Sequence, residues 1–383
     1  MSSLPPPSPE ALAHSARLRE LILRDIEMQG GWVPFSRYME LALYAPGLGY
    51  YTAGARKFGS AGDFVTAPEI SPLFGRTLAR QAAEIMAHST PQMLELGAGS
   101  GRLAVDMLLE LEQLNSLPER YSILEVSADL RERQQALLQA RAPHLAGRVN
   151  WLEELPDSID GAVIGNEVLD ALPVHVVHWG EEDIFERGVS GNAGSFEWQD
   201  RLVENDALLQ IAQQIAMPEG SISEISLTAR GLTGSLCQRL GQGALLLIDY
   251  GFGEREYYHP QRTQGTLMCH YRHHAHDDPF FLAGLQDITA HVDFTAVAES
   301  AINNGARLLG YTSQAHFLLN GGITGLLQEV SPENPRDYLP LSMQVQKLTS
   351  PAEMGELFKV IALGKGLEER LSGFANGDLS RFL

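Results

Sequence analysis

Residues 93–103 restrict the fold more than any other stretch. Met93, Leu94 and Leu96 make a short apolar run, and Gly97, Gly99 and Gly101 follow at every second position. Apolar residues then recur at 104, 107, 108 and 111, which is a helical spacing. A strand that turns through glycines into a helix implies α/β layering. It also lets backbone approach a ligand closely, with helix N–H groups facing it. The plain alternative is a structural turn that holds nothing.

The glycine spacing narrows the ligand. A dinucleotide site wants G-x-G-x-x-G, and here Arg102 stands where the third glycine belongs. That disfavours a nicotinamide oxidoreductase, and no Walker lysine follows to hold a triphosphate. The pattern Glu95-x-Gly97-x-Gly99-x-Gly101 resembles motif I of the Rossmann-like methyltransferases, which bind S-adenosyl-L-methionine.

Strands and helices continue to alternate beyond it. Residues 121–125, 149–151, 161–165 and 243–250 read as strands, and 127–140 as a helix with Arg and Gln on its exposed side. Residues 307–312 and 358–363 could supply two closing strands, one antiparallel, with mainly helical chain between them. Continuous apolar strands imply a parallel sheet covered on both faces, with ligands at its carboxyl ends. Gly97, Glu125, Asn166 and Asp249 all fall at such ends.

The remaining chain divides into expected regions. Residues 1–9 are Pro/Ser-rich and read as a disordered tail. Residues 10–90 read as an N-terminal helical and loop region, and 91–173 with 243–365 as the Rossmann-like core. Residues 174–242 read as an insertion and 366–383 as a C-terminal tail. Helices are expected over 10–29, with Leu12, Leu18, Leu21, Ile22 and Ile26 on one face, over 33–44, and from Ser71-Pro72 to about 88. Residues 47–71 form an irregular stretch of the kind that is often functional when ordered. The insertion alternates like antiparallel strands, turns at 192–194, and ends in a helix over 220–240.

Composition excludes some functions. The 383 residues are 44% hydrophobic, enough for one large or two ordinary domains. The net charge of −20 argues against sequence-independent nucleic-acid binding. Two cysteines with no C-x-x-C indicate neither a zinc ribbon nor a disulfide framework. No apolar run is long enough to cross a bilayer. These features, with no targeting segment read at the start, set the expectation of a soluble cytoplasmic protein.

Several side chains are candidates for chemistry. Glu125 ends the second strand, where a carboxylate can accept from both hydroxyls of a ribose. Glu95 is expected to reach the ligand's amino end, because acids are rarely buried unpaired. Glu167 and Asp170, three residues apart, would share a face on a helical turn. Two carboxylates there could hold a guanidinium by bidentate bonds and help remove its proton. Tyr250 is either an acceptor-channel residue or a packed aromatic. His270, His273, His274 and His276 cluster without a recognisable metal spacing, so no metal is expected. His274 is taken for the acceptor side.

Together these segments resemble the MidA family of S-adenosylmethionine-dependent methyltransferases. The resemblance rests on Gly62-Asp63-Phe64-Val65-Thr66-Ala67-Pro68-Glu69, on residues 94–101, and on Asn166-Glu167 with Leu169-Asp170-Ala171-Leu172-Pro173. Asp249-Tyr250-Gly251, Gly265-Thr266-Leu267 and residues 287–294 complete it. It implies a class I fold: a seven-stranded, mostly parallel sheet with helices on both faces, an N-terminal helical extension and a β-rich insertion. It implies transfer of methyl groups to a protein arginine, giving symmetric dimethylarginine. The eukaryotic members act on a respiratory complex I subunit, which makes a respiratory-complex subunit the candidate partner; a homodimer is the candidate assembly. The expected cofactor residues are Glu95, Gly97, Gly99, Gly101, Glu125 and Asn166. Catalysis is expected of Glu167 and Asp170, and acceptor binding of Asp63, Thr66, Pro68, Glu69, Tyr250 and His274. The other readings are a methyltransferase for a small molecule or another side chain, and a non-catalytic assembly chaperone on the same scaffold.

Overall fold

The strand Leu240–Phe252 holds the larger sheet together. Its apolar stretch Ala244–Ile248 is buried on both faces, as expected of a strand inside a covered sheet. It pairs in parallel with Ile159–Asn166 and antiparallel with Phe358–Lys365. The computed structural model describes residues 4–53, 65–192 and 195–383. Asp63, and Ala193-Gly194 in the expected hairpin turn, lie outside the described residues.

The described chain divides into two compact units. The second comprises Val65–Val168, Leu232–Gly253 and Val292–Leu383. Its sheet runs in the order 307–313, 358–365, 240–252, 159–166, 92–96, 120–124, 149–152. An eighth short strand, Val292–Asp293, pairs in parallel with the end of Leu240–Phe252. The expected count was seven. The extra strand forms because Gly251 lets the chain approach closely: a Cβ there would lie 2.1 Å from the Val292 carbonyl oxygen. Phe358–Lys365 is antiparallel to both of its neighbours, and the other described pairs of this sheet are parallel.

Helices cover this sheet as the sequence implies. Pro72–Ala87 starts at Ser71, whose hydroxyl accepts from Leu73 N–H. Asp293 caps Phe294–Asn303 through Ala296 N–H. Such caps satisfy N–H groups that the helix itself cannot pair. The chain after residue 365 differs from the expected tail. Leu367, Leu371 and Phe374 are buried in the core of this unit, with Phe374 edge-on to Phe317 at 5.5 Å.

The first unit comprises the described parts of Met1–Phe64, with Leu169–Gly231 and Glu254–His291. The N-terminal region and the insertion therefore share one core, built on Leu18, Ile22, Val33, Phe35, Tyr38, Val176, Val189 and Ile288. The first helix is Pro9–Met28. It buries Leu18, Ile22 and Ile26, but Leu12 is 49% exposed rather than on the packed face. The second helix starts at Phe35, not at 33. Val33-Pro34 is instead a two-residue strand against Val189 and Gly188, since a residue before proline is pushed towards extended backbone.

That strand joins an antiparallel sheet with His175–Trp179, Ile184–Asn192, Ser195–Leu202 and Ser221–Ile225. Ser221–Ile225 replaces the start of the helix expected over 220–240, which begins at Leu227. A helix at Asp206–Gln214 was not expected either; Asn205 caps it. A three-stranded antiparallel sheet of Met268–Tyr271, His274–His276 and Asp287–Thr289 completes the unit.

Phe374 tests whether the C-terminal segment is structural. Phe374→Ala should cost about 3–5 kcal/mol, the usual range for a buried phenylalanine. Urea unfolding followed by tryptophan fluorescence would measure the loss, and a change below about 1 kcal/mol would show that the segment does not support the core.

Candidate active site

Strand register brings the candidate residues of the second unit into one row. Leu96 lies opposite Leu124 on one side and Gly165 on the other, and Ile248 lies opposite Asn166. Gly97, Glu125 and Asn166 therefore leave the sheet at neighbouring strand ends, with strands about 4.8 Å apart. Two ladder bonds run past the last paired residues, from Gly97 N–H to Leu124 O at 3.0 Å and from Glu125 N–H to Leu152 O at 3.2 Å.

Gly97, Gly99 and Gly101 have φ of 61°, 52° and 84°. Side-chain-bearing residues rarely adopt these values, so the turn requires glycine at each. Gly101 is also the N-cap of Arg102–Gln113. A Cβ on Gly101 would meet the Gln134 side chain at 3.1 Å.

Gln134 is a buried residue that the sequence reading missed. Its helix, Ala128–Arg141, was expected to turn Gln outward, yet Gln134 is 2% exposed. Its Nε2 donates to Gly99 O and to Glu125 Oε2, each at 3.0 Å, and its Oε1 accepts from Trp151 Nε1 at 2.8 Å. It thus joins the glycine turn to the acid on the next strand. Polar residues scattered along a helix carry no signal that one of them faces inward.

Glu125 is buried, with Oε1 accepting from Ser127 N–H at 3.0 Å. Burial raises its pKa, while the bonds from Ser127 and Gln134 and the nearby Arg131 pull the other way. Each oxygen retains a lone pair for a further donor. Glu95 does not reach the surface. It is 2% exposed and accepts from Tyr121 Oη at 2.7 Å. Burial pushes its carboxyl up to about 7, the Tyr121 bond opposes this, and Glu125 adds to it.

Asn166 and Glu167 follow the strand Ile159–Asn166. Asn166 Nδ2 donates to Glu167 Oε1 at 3.0 Å, which fixes the amide orientation. Its Oδ1 is a buried acceptor without a hydrogen-bond partner among the described residues, an arrangement that natural structures rarely leave unfilled. Glu167 has φ of 53°. Left-handed backbone on a residue with a side chain costs of order 1–3 kcal/mol and is concentrated at functional sites. Glu167 N–H donates to Ile248 O at 2.8 Å. Its Oε1 also accepts from Ala67 N–H at 3.4 Å.

This backbone corrects the expected pairing of Glu167 with Asp170 on a helical turn. Glu167 is left-handed and the segment is an irregular bend, so helical spacing does not apply. Asp170 belongs to the first unit, where it is buried. There its charge and that of Asp287 add to the burial that chiefly raises the pKa of Tyr51. Tyr51 Oη donates to Asp287 Oδ1 at 2.9 Å, and Tyr44 Oη donates to Ala171 O at 3.0 Å. This tyrosine–carboxylate group was not foreseen, although 287–294 was a family marker.

The other expected acceptor residues separate. Thr66, Pro68 and Glu69 form the start and body of a short turn, Ala67–Ile70, with Pro68 buried. Glu69 accepts from Ser100 Oγ and from Arg102 Nη1, the latter at 3.1 Å. Tyr250 packs edge-on to Phe358, its partner across the ladder, at 5.5 Å. His274 lies in the first unit with Nδ1 donating to Arg272 O at 2.7 Å. Among the described residues, no three His, Cys, Asp or Glu form a metal-holding group. Cys237 and Cys269 are free and buried. No described helix is long and apolar enough to cross a membrane.

A glycine turn after the 92–96 strand, a carboxylate on the next strand and a polar segment after the 159–166 strand define a nucleoside-binding α/β enzyme. A family model described as "Putative S-adenosyl-L-methionine-dependent methyltransferase" matches residues 77–312. The chain belongs to this family and has the α/β methyltransferase fold. It is 30% identical over 381 residues to the Drosophila melanogaster protein arginine methyltransferase NDUFAF7 homolog, mitochondrial, covering 90% of this chain and 84% of the relative. The Homo sapiens protein arginine methyltransferase NDUFAF7, mitochondrial, is 30% identical, with 87% and 80% covered. A Burkholderia thailandensis protein whose crystal structure holds S-adenosyl-homocysteine is 51% identical, with a TM-score of 0.97 over 100% of both chains. These relatives correct the expectation of a cytoplasmic protein: the Drosophila and human proteins are both named as mitochondrial.

The raised pKa of Glu95 links stability to pH. Its folded value is about 7 and its ordinary value 4.5. Between these the folded state holds the extra proton, so the contribution is full below the ordinary value and is lost as pH rises to the folded one. Glu95→Gln should therefore gain stability relative to wild type between pH 5 and pH 8, by up to roughly 3 kcal/mol. Melting temperatures of both proteins across that range would measure it; parallel curves would contradict the assignment.

Proposed function

We propose that this enzyme transfers the methyl group of S-adenosyl-L-methionine to an arginine side chain of a protein. The observation that carries the reading is the row of neighbouring strand ends from which the glycine turn, Glu125 and Asn166 leave the sheet. Its fit to the methyl donor rests on chemistry. Glu125 has acceptor capacity for two neighbouring hydroxyls, Asn166 Oδ1 lacks a donor among the described residues, and the glycine turn lets backbone come close. Gly97, Gly99, Gly101, Glu125 and Asn166 would hold the donor. Glu95 lies buried in the strand that leads into the turn, bonded to Tyr121.

When bound, the donor supplies an electrophilic methyl group on a sulfonium. The protein's task is to present a nucleophilic nitrogen. A guanidinium is protonated in water and its nitrogens are poor nucleophiles. The Glu167 carboxylate, held by Asn166 and Ala67, would accept two of its N–H bonds, orient one nitrogen and draw off its proton. The strained backbone at Glu167 fits such a role, since it aims the carboxylate at the cost of local stability. Similarity to relatives named protein arginine methyltransferases supports arginine as the acceptor. The family resemblance extends the proposal to symmetric dimethylarginine on a respiratory-complex subunit.

Two variants test donor binding and chemistry separately. Gly101→Val should abolish S-adenosyl-homocysteine binding in calorimetry, because it strains a left-handed position and strikes Gln134. Glu167→Gln should keep that binding within about threefold and lower methyl transfer by at least about 100-fold. Mass spectrometry of a cell extract incubated with enzyme and isotopically labelled donor reads the product. Label on residues other than arginine would reject the acceptor assignment.

A further inference from the structure

Arg102 stands where a dinucleotide site would have a glycine, and its partner shows why. Glu69 reaches it from the turn Ala67–Ile70, some thirty residues earlier in the chain. One Glu69 oxygen accepts from Ser100 Oγ and the other from Arg102 Nη1 at 3.1 Å. The Glu69 side chain is only 12% exposed, and Arg102 is 37% exposed. Each carboxylate oxygen thus takes one bond inside the second unit, one from the glycine turn and the other from the first residue of the helix that follows it.

The site of attachment matters. Ser100 lies between Gly99 and Gly101, both left-handed. Glycine loses more conformational freedom on ordering than any other residue. A turn with glycine at every second position is therefore costly to hold in one shape, and any ligand that needs that shape bears the cost. An anchor on Ser100 and Arg102 removes part of it in advance, which strengthens binding without touching the ligand. The same short turn also donates Ala67 N–H to Glu167 Oε1 at 3.4 Å. One four-residue turn thus connects the donor-binding turn with the carboxylate proposed for catalysis.

We propose that Glu69 is a positioning residue for the methyl donor: it holds the Gly97–Gly101 turn in its binding shape through Ser100 and Arg102, and does not contact the acceptor. This replaces the role in acceptor binding expected from the sequence. It rests on the reading of that turn as the donor site.

Calorimetry with S-adenosyl-homocysteine on the full chain, with no acceptor present, tests it. Wild type should bind. Glu69→Ala and Arg102→Ala should each weaken binding about tenfold, as expected for loss of a charge-assisted bond. The double variant should be no worse than either single variant by more than about twofold, because the two residues act as one unit. Glu69→Gln, which retains an acceptor for Ser100, should fall between wild type and Glu69→Ala. In steady-state assays the KM for the donor should rise while the KM for the acceptor stays within about twofold. Should Glu69→Ala not fold, Glu69→Gln and Ser100→Ala carry the test, with wild-type affinity in both overturning the proposal. If wild type binds, the Glu69 variants match it and only the acceptor KM rises, Glu69 is an acceptor contact; the proposal falls and the donor site stands. If wild type itself does not bind, the reading of the turn falls, and the proposal with it.

Discussion

The site depends on the register of the parallel ladder. A strand buried on both faces cannot slip by one residue without sending every side chain to the opposite face. The apolar runs of Gln92–Leu96, Ile159–Asn166 and Leu240–Phe252 therefore lock together. Once locked, they end at one level, and whatever follows each strand meets its neighbours. Gly97, Glu125, Asn166 and Glu167 are adjacent because of this register.

Buried polar groups then shape the row. Gln134 joins the glycine turn, Glu125 and Trp151, which are far apart in sequence. Glu95, buried in the strand before the turn, accepts from Tyr121, and burial raises its pKa. Glu69 accepts from Ser100 within the turn and from Arg102 just after it. Most of these groups have partners, as buried polar atoms generally must. Asn166 Oδ1 is left without one among the described residues, and the backbone at Glu167 is strained beside it. Structural satisfaction gives way at the end of the strand where the chemistry is proposed.

Legibility in the sequence followed the range of the interaction. The main-sheet strands, the caps at Ser71 and Asp293 and the glycine turn were readable, since each is set by residues within a few positions. Errors arose where a distant partner decided. Val33-Pro34 became a strand because it pairs with residues near 189. Ser221–Ile225 became a strand because His175–Trp179 lies beside it. Leu12 fitted the helical stripe, yet the described residues leave it 49% exposed. Gln134 and Phe374 carried no local mark of their buried positions.

The sequence by itself determined the class of this protein and the glycine turn at which donor binding is proposed. A strand, three spaced glycines and a helix are local features, and backbone sterics allow them few forms. Tertiary structure decided what the individual acids do. It turned Glu95 inward, assigned Asp170 to a different compact unit from Glu167, and committed Glu69 to Ser100 and Arg102. A carboxylate's role depends on which donors surround it, and those donors come from strands and helices that meet only when the chain has folded.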